Sequence, residues 1–474
     1  MNSRTLALLV LASGHAIAAD APKPNVLVVL TDDIGWGDPQ CYNPQGKIPT
    51  PNIDQLAAGG MRFTHAHTPA ALCSPTRYSM LTGNFPWRGR APGGAWGYNV
   101  PSQIMPGQKT VAQLLKTAGY RTAMFGKAGI GGFWGMVPDQ KPDRTPAPVE
   151  WGFDYSFLIP RGHQSSPHAF FENGVTISAL KKDNAPGWDA SKIGATLLEK
   201  ACGFLDDHQA NHKDAPFYMH FCTDGAHGPY VPAETLNGQP LKGSTKMTDH
   251  TDMIHETDIL LGALVDALEQ RGLRENTLVI YTSDNGGLPF ERALGHDSVA
   301  GLRGNKSTIF EGGQRVPYIA NWPGRIPAGT VRNQPIGTHD SVATALALAG
   351  MEIPAGQAID SVSLVPVLSG KQDDANPVRK VLFTQSSPGR GVDVDNGYRA
   401  GKPVPKDKSK ARGKGKKALA FAVYQGDWKL VISALGEPAS LYDLSHDLGE
   451  EHNLLERNPE RVASMAKIYR ELRN

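Results

Sequence analysis

Four cysteines in 474 residues, Cys41, Cys73, Cys202 and Cys222, are too few to staple a chain of this size, which excludes a disulfide scaffold. A Cys202–Cys222 bridge and a set of buried free thiols both stay open. Neither sign of charge dominates: 48 Lys and Arg stand against 46 Asp and Glu, a net +2, which argues against a generally basic nucleic-acid binder. No heptads and no repeat of ~20–50 residues are visible, so coiled coils and solenoids are excluded. Nowhere is there an uninterrupted apolar run of the ~18 residues that a transmembrane helix needs. What is present is ordinary in amount, with 40% hydrophobic and 20% charged residues. Glycine (52) and proline (36) are plentiful, as in a loop-rich enzyme. The length suits one large domain and a smaller one rather than a binding module.

Residues 1–19 read as a secretory signal peptide. Arg4 supplies the positive end, 6–12 the short apolar run, and Ala16-Ile17-Ala18 a small-x-small cleavage site. The mature protein is therefore expected to be exported, periplasmic or secreted, with no transmembrane segment. Beyond the signal, 25–30, 122–125, 217–222 and 277–281 read as buried strands. Thr110 caps a helix carrying Val111, Leu114, Leu115 and Ala118 and stopped by Gly119. A second helix carries Leu261, Leu264, Val265 and Leu268 and stops near Gly272. Strands alternating with helices predict an α/β fold with a mostly parallel sheet covered on both faces, whose ligands bind beyond the carboxyl ends of the strands.

The texture changes after Gly370. Residues 399–417 hold nine Lys or Arg against one Asp and read as a loop excursion. Short strands at 418–424 and 428–432 and a helix at 459–472 follow. The expected division is a catalytic α/β domain over 20–370 and a smaller α+β domain over 371–474, with an antiparallel sheet and one helix.

Four strand ends carry chemistry: Asp32-Asp33, Gly126-Lys127, Thr223-Asp224 with His227 just beyond, and Asp284-Asn285. Four such endings together point to one shared site. Asp32, Asp33, Asp284 and Asn285 offer the carboxylate and amide oxygens that hard divalent cations take. No His or Cys accompanies them, which disfavours zinc. Cys73-Ser74-Pro75-Thr76-Arg77 places Pro75 in a helix first turn and Cys73 at its N-terminus, where the dipole favours anions and activated nucleophiles. Arg77 lies one turn on.

Cys73-x-Pro75-Thr76-Arg77 followed by Leu81-Thr82-Gly83 resembles the signature of the formylglycine-dependent type I sulfatases of the alkaline phosphatase superfamily. The likeness runs along nearly the whole mature chain. It takes in 25–33, Pro49-Thr50-Pro51-Asn52, Ala226-His227-Gly228-Pro229, Ser283-Asp284-Asn285-Gly286, Leu302-Arg303-Gly304-Asn305-Lys306, 311–317, and the tail motifs at 441–444 and 451–454. The resemblance implies an alkaline-phosphatase-like fold and the hydrolysis of sulfate esters with release of inorganic sulfate. The substrate would be a sulfated carbohydrate or an aryl sulfate. It implies that Cys73 is oxidised to C-formylglycine by a maturation enzyme, and that one Ca2+ is held by Asp32, Asp33, Asp284 and Asn285 with the modified Cys73. It implies that the hydrated aldehyde attacks sulfur and that Asp284 takes its proton. Arg77, Lys127 and Lys306 would neutralise the sulfuryl oxygens, and His227 or Lys306 would protonate the leaving oxygen.

The chain departs from the pattern at two places. The family's Gly-Lys-x-His stands here as Gly126-Lys127-Ala128-Gly129, and Arg161-Gly162-His163 replaces a Ser-His step found in some relatives. His163 is the candidate base for the second proton, with water or His227 as the alternative. Two other readings stay open: a phosphonate or phosphodiester hydrolase of the same superfamily, against which Asn285 argues, and a non-catalytic binder of sulfated glycans.

Overall fold

The computed structural model describes residues 22–94, 96–136, 147–163, 166–177, 185–388, 398–399, 402–403 and 419–473. The signal peptide expected at 1–19 lies outside the described residues, as does nearly all of the basic stretch at 399–417. The core is a ten-stranded sheet. Its strands in chain order are β1 (Asn25–Thr31), β2 (Met61–Phe63), β3 (Arg121–Lys127), β4 (Tyr155–Ile159), β5 (Phe171–Glu172), β6 (Val175–Thr176), β7 (Phe217–Cys222), β8 (Thr277–Ser283), β9 (Tyr318–Asn321) and β10 (Thr330–Arg332). In space they run β10-β2-β9-β8-β1-β7-β3-β4-β5-β6. The central five, β8-β1-β7-β3-β4, are parallel, and the flanks are mostly antiparallel.

Strand β1 shows why the apolar runs form strands here. All seven of its residues are buried, because it is paired on both edges and covered on both faces. Val26, Val28 and Leu30 face one core, and Leu27 and Val29 the other. The first core is closed by α2 (Cys73–Thr82), α3 (Val111–Lys116), α7 (Asp340–Leu348) and α8 (Val365–Leu368). The second is closed by α1 (Pro51–Ala58), α4 (Ile193–Asn211) and α5 (Asp249–Gln270). Thr110 caps α3 in a reciprocal box with Gln113. Helix α5 begins well before the apolar stretch that announced it, at the Thr248 cap. Among the described residues no helix is long and apolar enough to cross a membrane. All four cysteines are free thiols, so Cys202 and Cys222 are not bridged.

Helices α4 and α5 pack closely at one point. Gly194 lacks the β-carbon that would overlap Glu256 Oε1, so a buried carboxyl fits between them. Burial first, and then the neighbouring Asp224, push the Glu256 pKa up from 4.5 to about 8, with His163 opposing.

A second, four-stranded antiparallel sheet follows: β11 (Leu382–Gln385), β12 (Phe421–Gln425), β13 (Trp428–Ile432) and β14 (Pro438–Asp443), in that spatial order. One face packs on α9 (Pro459–Arg473) through Val423, Leu430, Leu441 and Met465. The other meets Ile309 and Phe310 of the large domain through Leu382, Ala422 and Val431. A charged knot crosses this junction. Glu311, fully buried on α6 (Glu311–Gln314), accepts from His67 Nε2 at 2.9 Å, Arg315 Nε at 2.7 Å, Tyr424 Oη at 2.8 Å and Lys429 Nζ at 2.9 Å. Lys429 also pairs with Glu450 at 2.8 Å.

Two measurements test these buried charges. Lys429→Met leaves Glu311 and Glu450 without their shared cation and is expected to cost about 3–5 kcal/mol in denaturant unfolding. Glu256→Gln tests the other. With its folded pKa raised, the stability that the neutral Glu256 carboxyl supports is full below pH 4.5 and is lost as pH rises through about 8. The Gln variant cannot ionise, so its melting temperature should match wild type near pH 4.5 and exceed it at pH 9. The gap should correspond to a few kcal/mol, on the order of the pKa difference. A constant gap across that window would refute the assignment.

Candidate active site

The site lies where the parallel strands end. Thr31 pairs with Ser283 in the β1–β8 register, so Asp32 and Asp284 emerge side by side. Asp33 adopts a left-handed φ of 61°, an uncommon conformation for a residue with a β-carbon. Lys127 closes β3, two strands away on the other side. Helix α2 enters from the first core with all ten of its residues buried. Its N-cap is Leu72 in an extended conformation with no side-chain cap, and Cys73 is the first helical residue, as the Pro75 spacing predicted. Lys306 arrives on the loop before α6.

Each carboxylate has its own cation. Lys127 Nζ pairs with Asp32 Oδ2, and Lys306 Nζ with Asp33 Oδ1. Arg77 closes its fork on Asp284 Oδ2, with Nε at 2.8 Å and Nη2 at 2.7 Å, while Nη1 donates to the Lys127 carbonyl at 2.8 Å. Arg77 thus donates from Nε and Nη1 to the protein, while its Nη2 has the ion-pair contact with Asp284 but no hydrogen bond among the described residues. Asn285 donates from Nδ2 to Asp33 Oδ1 at 2.7 Å. Asp32, Asp33, Asp284, Asn285, Arg77 and Lys127 are all buried.

Burial opposes every one of these charges, and the partners outweigh it for most. Lys127, then His227 and Arg77, hold Asp32 well below the usual carboxylate range. Asp33 holds Lys306 charged, and Asp32 does the same for Lys127. Asp284 is the exception: burial and the adjacent Asp32 raise it to about 7. The two aspartates titrate as a pair. Cys73 lies among these groups, close enough to act electrostatically on Arg77, Lys127 and Lys306.

The donor set fits a hard divalent cation. Asp32 Oδ1 and Asn285 Oδ1 are buried with no hydrogen-bond partner among the described residues. Two orphaned acceptors beside two further carboxylates are what an oxygen-seeking ion would satisfy. His227 stands nearer than the sequence suggested. Asp32, Asp33 and His227 each bring a ligand atom within 4.8 Å of the others, and His227 Nε2 lies 4.0 Å from Asp33. Its Nδ1 is 2.7 Å from the Gly228 carbonyl, which fixes the ring's direction. Burial, with Lys127 next, lowers the His227 pKa.

His163 is buried beside this loop with both ring nitrogens engaged, Nδ1 by Asp224 and Nε2 by the Pro229 carbonyl. A ring held by two acceptors has no free lone pair, so the base role expected for it is not one this geometry offers. Asp224, its partner, was legible only as a strand ending. Gly129, where the family histidine is missing, has a φ of 69°, and a β-carbon there would come within 3.1 Å of Arg77 Cδ. The backbone favours glycine at this position and brings it against the guanidinium stem.

The sulfatase family model matches residues 24–351. Human arylsulfatase A is 32% identical over 495 residues, which cover 94% of this chain and 86% of that protein. An N-acetylgalactosamine-6-O-sulfatase of Bacteroides thetaiotaomicron is 27% identical, over 95% of this chain and 93% of its own length. A solved structure from work on glycosaminoglycan metabolism by the same bacterium superposes with a TM-score of 0.78 at 26% identity, covering 95% of this chain and 99% of that one. A match of this length, at this identity, means that the chain belongs to the sulfatase family and is a hydrolase of sulfuric esters.

Proposed function

We propose that the protein hydrolyses sulfate esters of carbohydrates, using a C-formylglycine made from Cys73 by a maturation enzyme and one Ca2+ held by Asp32, Asp33, Asp284 and Asn285. The observation that carries this reading is the balance of charge around Cys73: three carboxylates, three cations, and two buried oxygens without partners. Names of relatives support a sugar substrate, since N-acetylgalactosamine-6-sulfatases recur among them. The segment 1–19 supports export to the periplasm or medium.

Bound there, calcium would supply Lewis-acid polarisation of a sulfate oxygen, and the hydrated aldehyde would supply the nucleophilic hydroxyl. The chain's own residues do the rest. Asp284, emerging beside Asp32 and gripped by Arg77, is the carboxylate placed to take the proton of that hydroxyl. Arg77 holds that carboxylate in place through its fork and fixes the Lys127 carbonyl. Lys127 and Lys306 stay charged and stabilise negative charge building on the sulfuryl oxygens. His227 or Lys306 delivers the proton to the leaving sugar oxygen. Because three carboxylates and three cations balance, a divalent cation held by Asp32, Asp33, Asp284 and Asn285 would leave the site at net +2, complementary to a sulfate monoester.

Free sulfate released from a panel of sulfated oligosaccharides and an aryl sulfate, read by ion chromatography, tests the reading directly. Active protein should react with a hydrazide at position 73. Cys73→Ala should lower turnover at least about 10³-fold with little change in melting temperature. Turnover at the wild-type rate in that variant sinks the nucleophile assignment.

The metal set has its own test. Asp284→Asn should lower calcium affinity, measured by isothermal titration, and turnover together, each by about tenfold or more. Unchanged calcium affinity in this variant would remove Asp284 from the ligand set.

A further inference from the structure

His227 rides on the loop from Asp224 to Pro229, and the two ends of that loop meet a single side chain. His163, buried at the end of the segment that follows β4, reaches Asp224 Oδ2 with ring Nδ1 and the Pro229 carbonyl with Nε2. Its main-chain N–H lies 3.3 Å from the same carboxylate oxygen. Between those anchors, His227 N donates to the Asp224 carbonyl at 3.2 Å and Nδ1 is 2.7 Å from the Gly228 carbonyl. These contacts leave Nε2 turned toward Asp33. Further ties run to the residue after β1, with Ala226 N donating to the Asp32 carbonyl at 2.6 Å and Asp32 N to that of Gly225 at 3.1 Å, and Thr223 Oγ1 donates to the Gly225 carbonyl at 2.8 Å.

We propose that His163 is a positioning residue, a buried staple across the ends of the 224–229 loop that holds the His227 ring in register with the carboxylate cluster. Two acceptors flank the ring, so both nitrogens carry hydrogen, and the ring bears a charge paired with Asp224. Asp224, through its hydrogen bond and its charge, keeps the His163 pKa above the ordinary value despite the burial that opposes it. A ring in that state cannot accept a proton, but it can fix a span. Beyond the staple, the far end is held from its C-terminal side, where Tyr230 packs on His250 and the cluster of Ala226 and Met253, and Val231 N donates to Met253 Sδ at 3.3 Å. Pro229 is exposed, and Gly228 and Tyr230 are only half-buried. Losing the staple would loosen the span 227–229 between the Asp32 ties and the Tyr230 anchor while leaving both intact. Small displacements of a catalytic group are costly, about 10²-fold for ~1 Å.

The inference rests on the reading of His227 as a catalytic residue, and a double-mutant cycle separates the two. Wild type, His163→Ala, His227→Ala and the double variant, all calcium-loaded, are compared on a sulfated sugar by kcat and by melting temperature. If His163 acts through His227, His163→Ala loses about 10–100-fold in kcat. The double variant then falls no further than His227→Ala alone, within about twofold. Losses that multiply would mean that His163 acts independently, and would overturn the staple. A wild-type rate in His227→Ala would remove the reading of His227 and the staple with it. Asp224→Asn guards against a fold failure in His163→Ala, because it keeps the acceptor oxygen and removes only its charge. A smaller kcat loss is expected there, absent in the His227→Ala background. An Asp224→Asn loss that persists in that background would equally overturn the staple.

Discussion

Three carboxylates converge at one buried edge of a sheet, and each demands a cation. Moving an unpaired carboxylate out of water costs several kcal/mol even after relaxation. Lys127, Lys306 and Arg77 meet that demand from a strand, a loop and a helix. The arrangement explains why α2 is buried on every side, unlike an ordinary amphipathic helix. Its second turn must carry a guanidinium to Asp284, and Arg77 can do so only from inside the protein.

The lysine loop shows how this constraint spreads. Lys306 N donates to the Gly287 carbonyl at 3.2 Å, and Ser307 N to that of Ala71 at 2.7 Å. The loop is thereby tied both to the segment following Asn285 and to the residues just before Cys73. Its far end runs into Glu311, whose carboxylate is shared with Tyr424 and Lys429 of the small sheet. Burial opposes the Glu311 charge, but Lys429, His67 and Arg315 hold it well below the usual range. The small sheet thus does more than cap the molecule: it supplies one of the cations that anchor the loop on which Lys306 stands.

The parts legible in the sequence were those whose physics is local. Strand β1 reads as an apolar run because both its faces are covered, and Thr110 with Gln113 announces α3 from three residues' spacing. The apolar pattern at 277–281 stops two residues short of the end of β8. Thr282 and Ser283 are polar, yet they stay paired with Leu30 and Thr31, and a ladder satisfies polar residues that a hydrophobic pattern ends on. Helix α5 is legible only over its apolar half, because His250, Thr251 and Asp252 are buried polar residues with no amphipathic signature. The strands β5 and β6, two residues each, are too short for any periodicity. In the site, motifs carried Cys73 and the aspartates. The surroundings of His163 were not legible, since its partners lie 61 and 66 residues along the chain. Nor could the sequence tell that Arg77 pairs with Asp284, because that depends on the β1–β8 register.

The missing histidine at Gly129 shows how electrostatics and backbone constrain each other here. The position follows Lys127 by two residues and holds a left-handed conformation, with the Arg77 stem where a side chain would start. A side chain there would be strained by the backbone, and its β-carbon would require that stem to give by a few tenths of an ångström. Arg77 is also the cation that most lowers the Asp284 pKa against the burial and the adjacent Asp32 that raise it. The turn after Lys127 and the guanidinium that holds Asp284 are therefore packed against each other, so that a change at one is felt at the other.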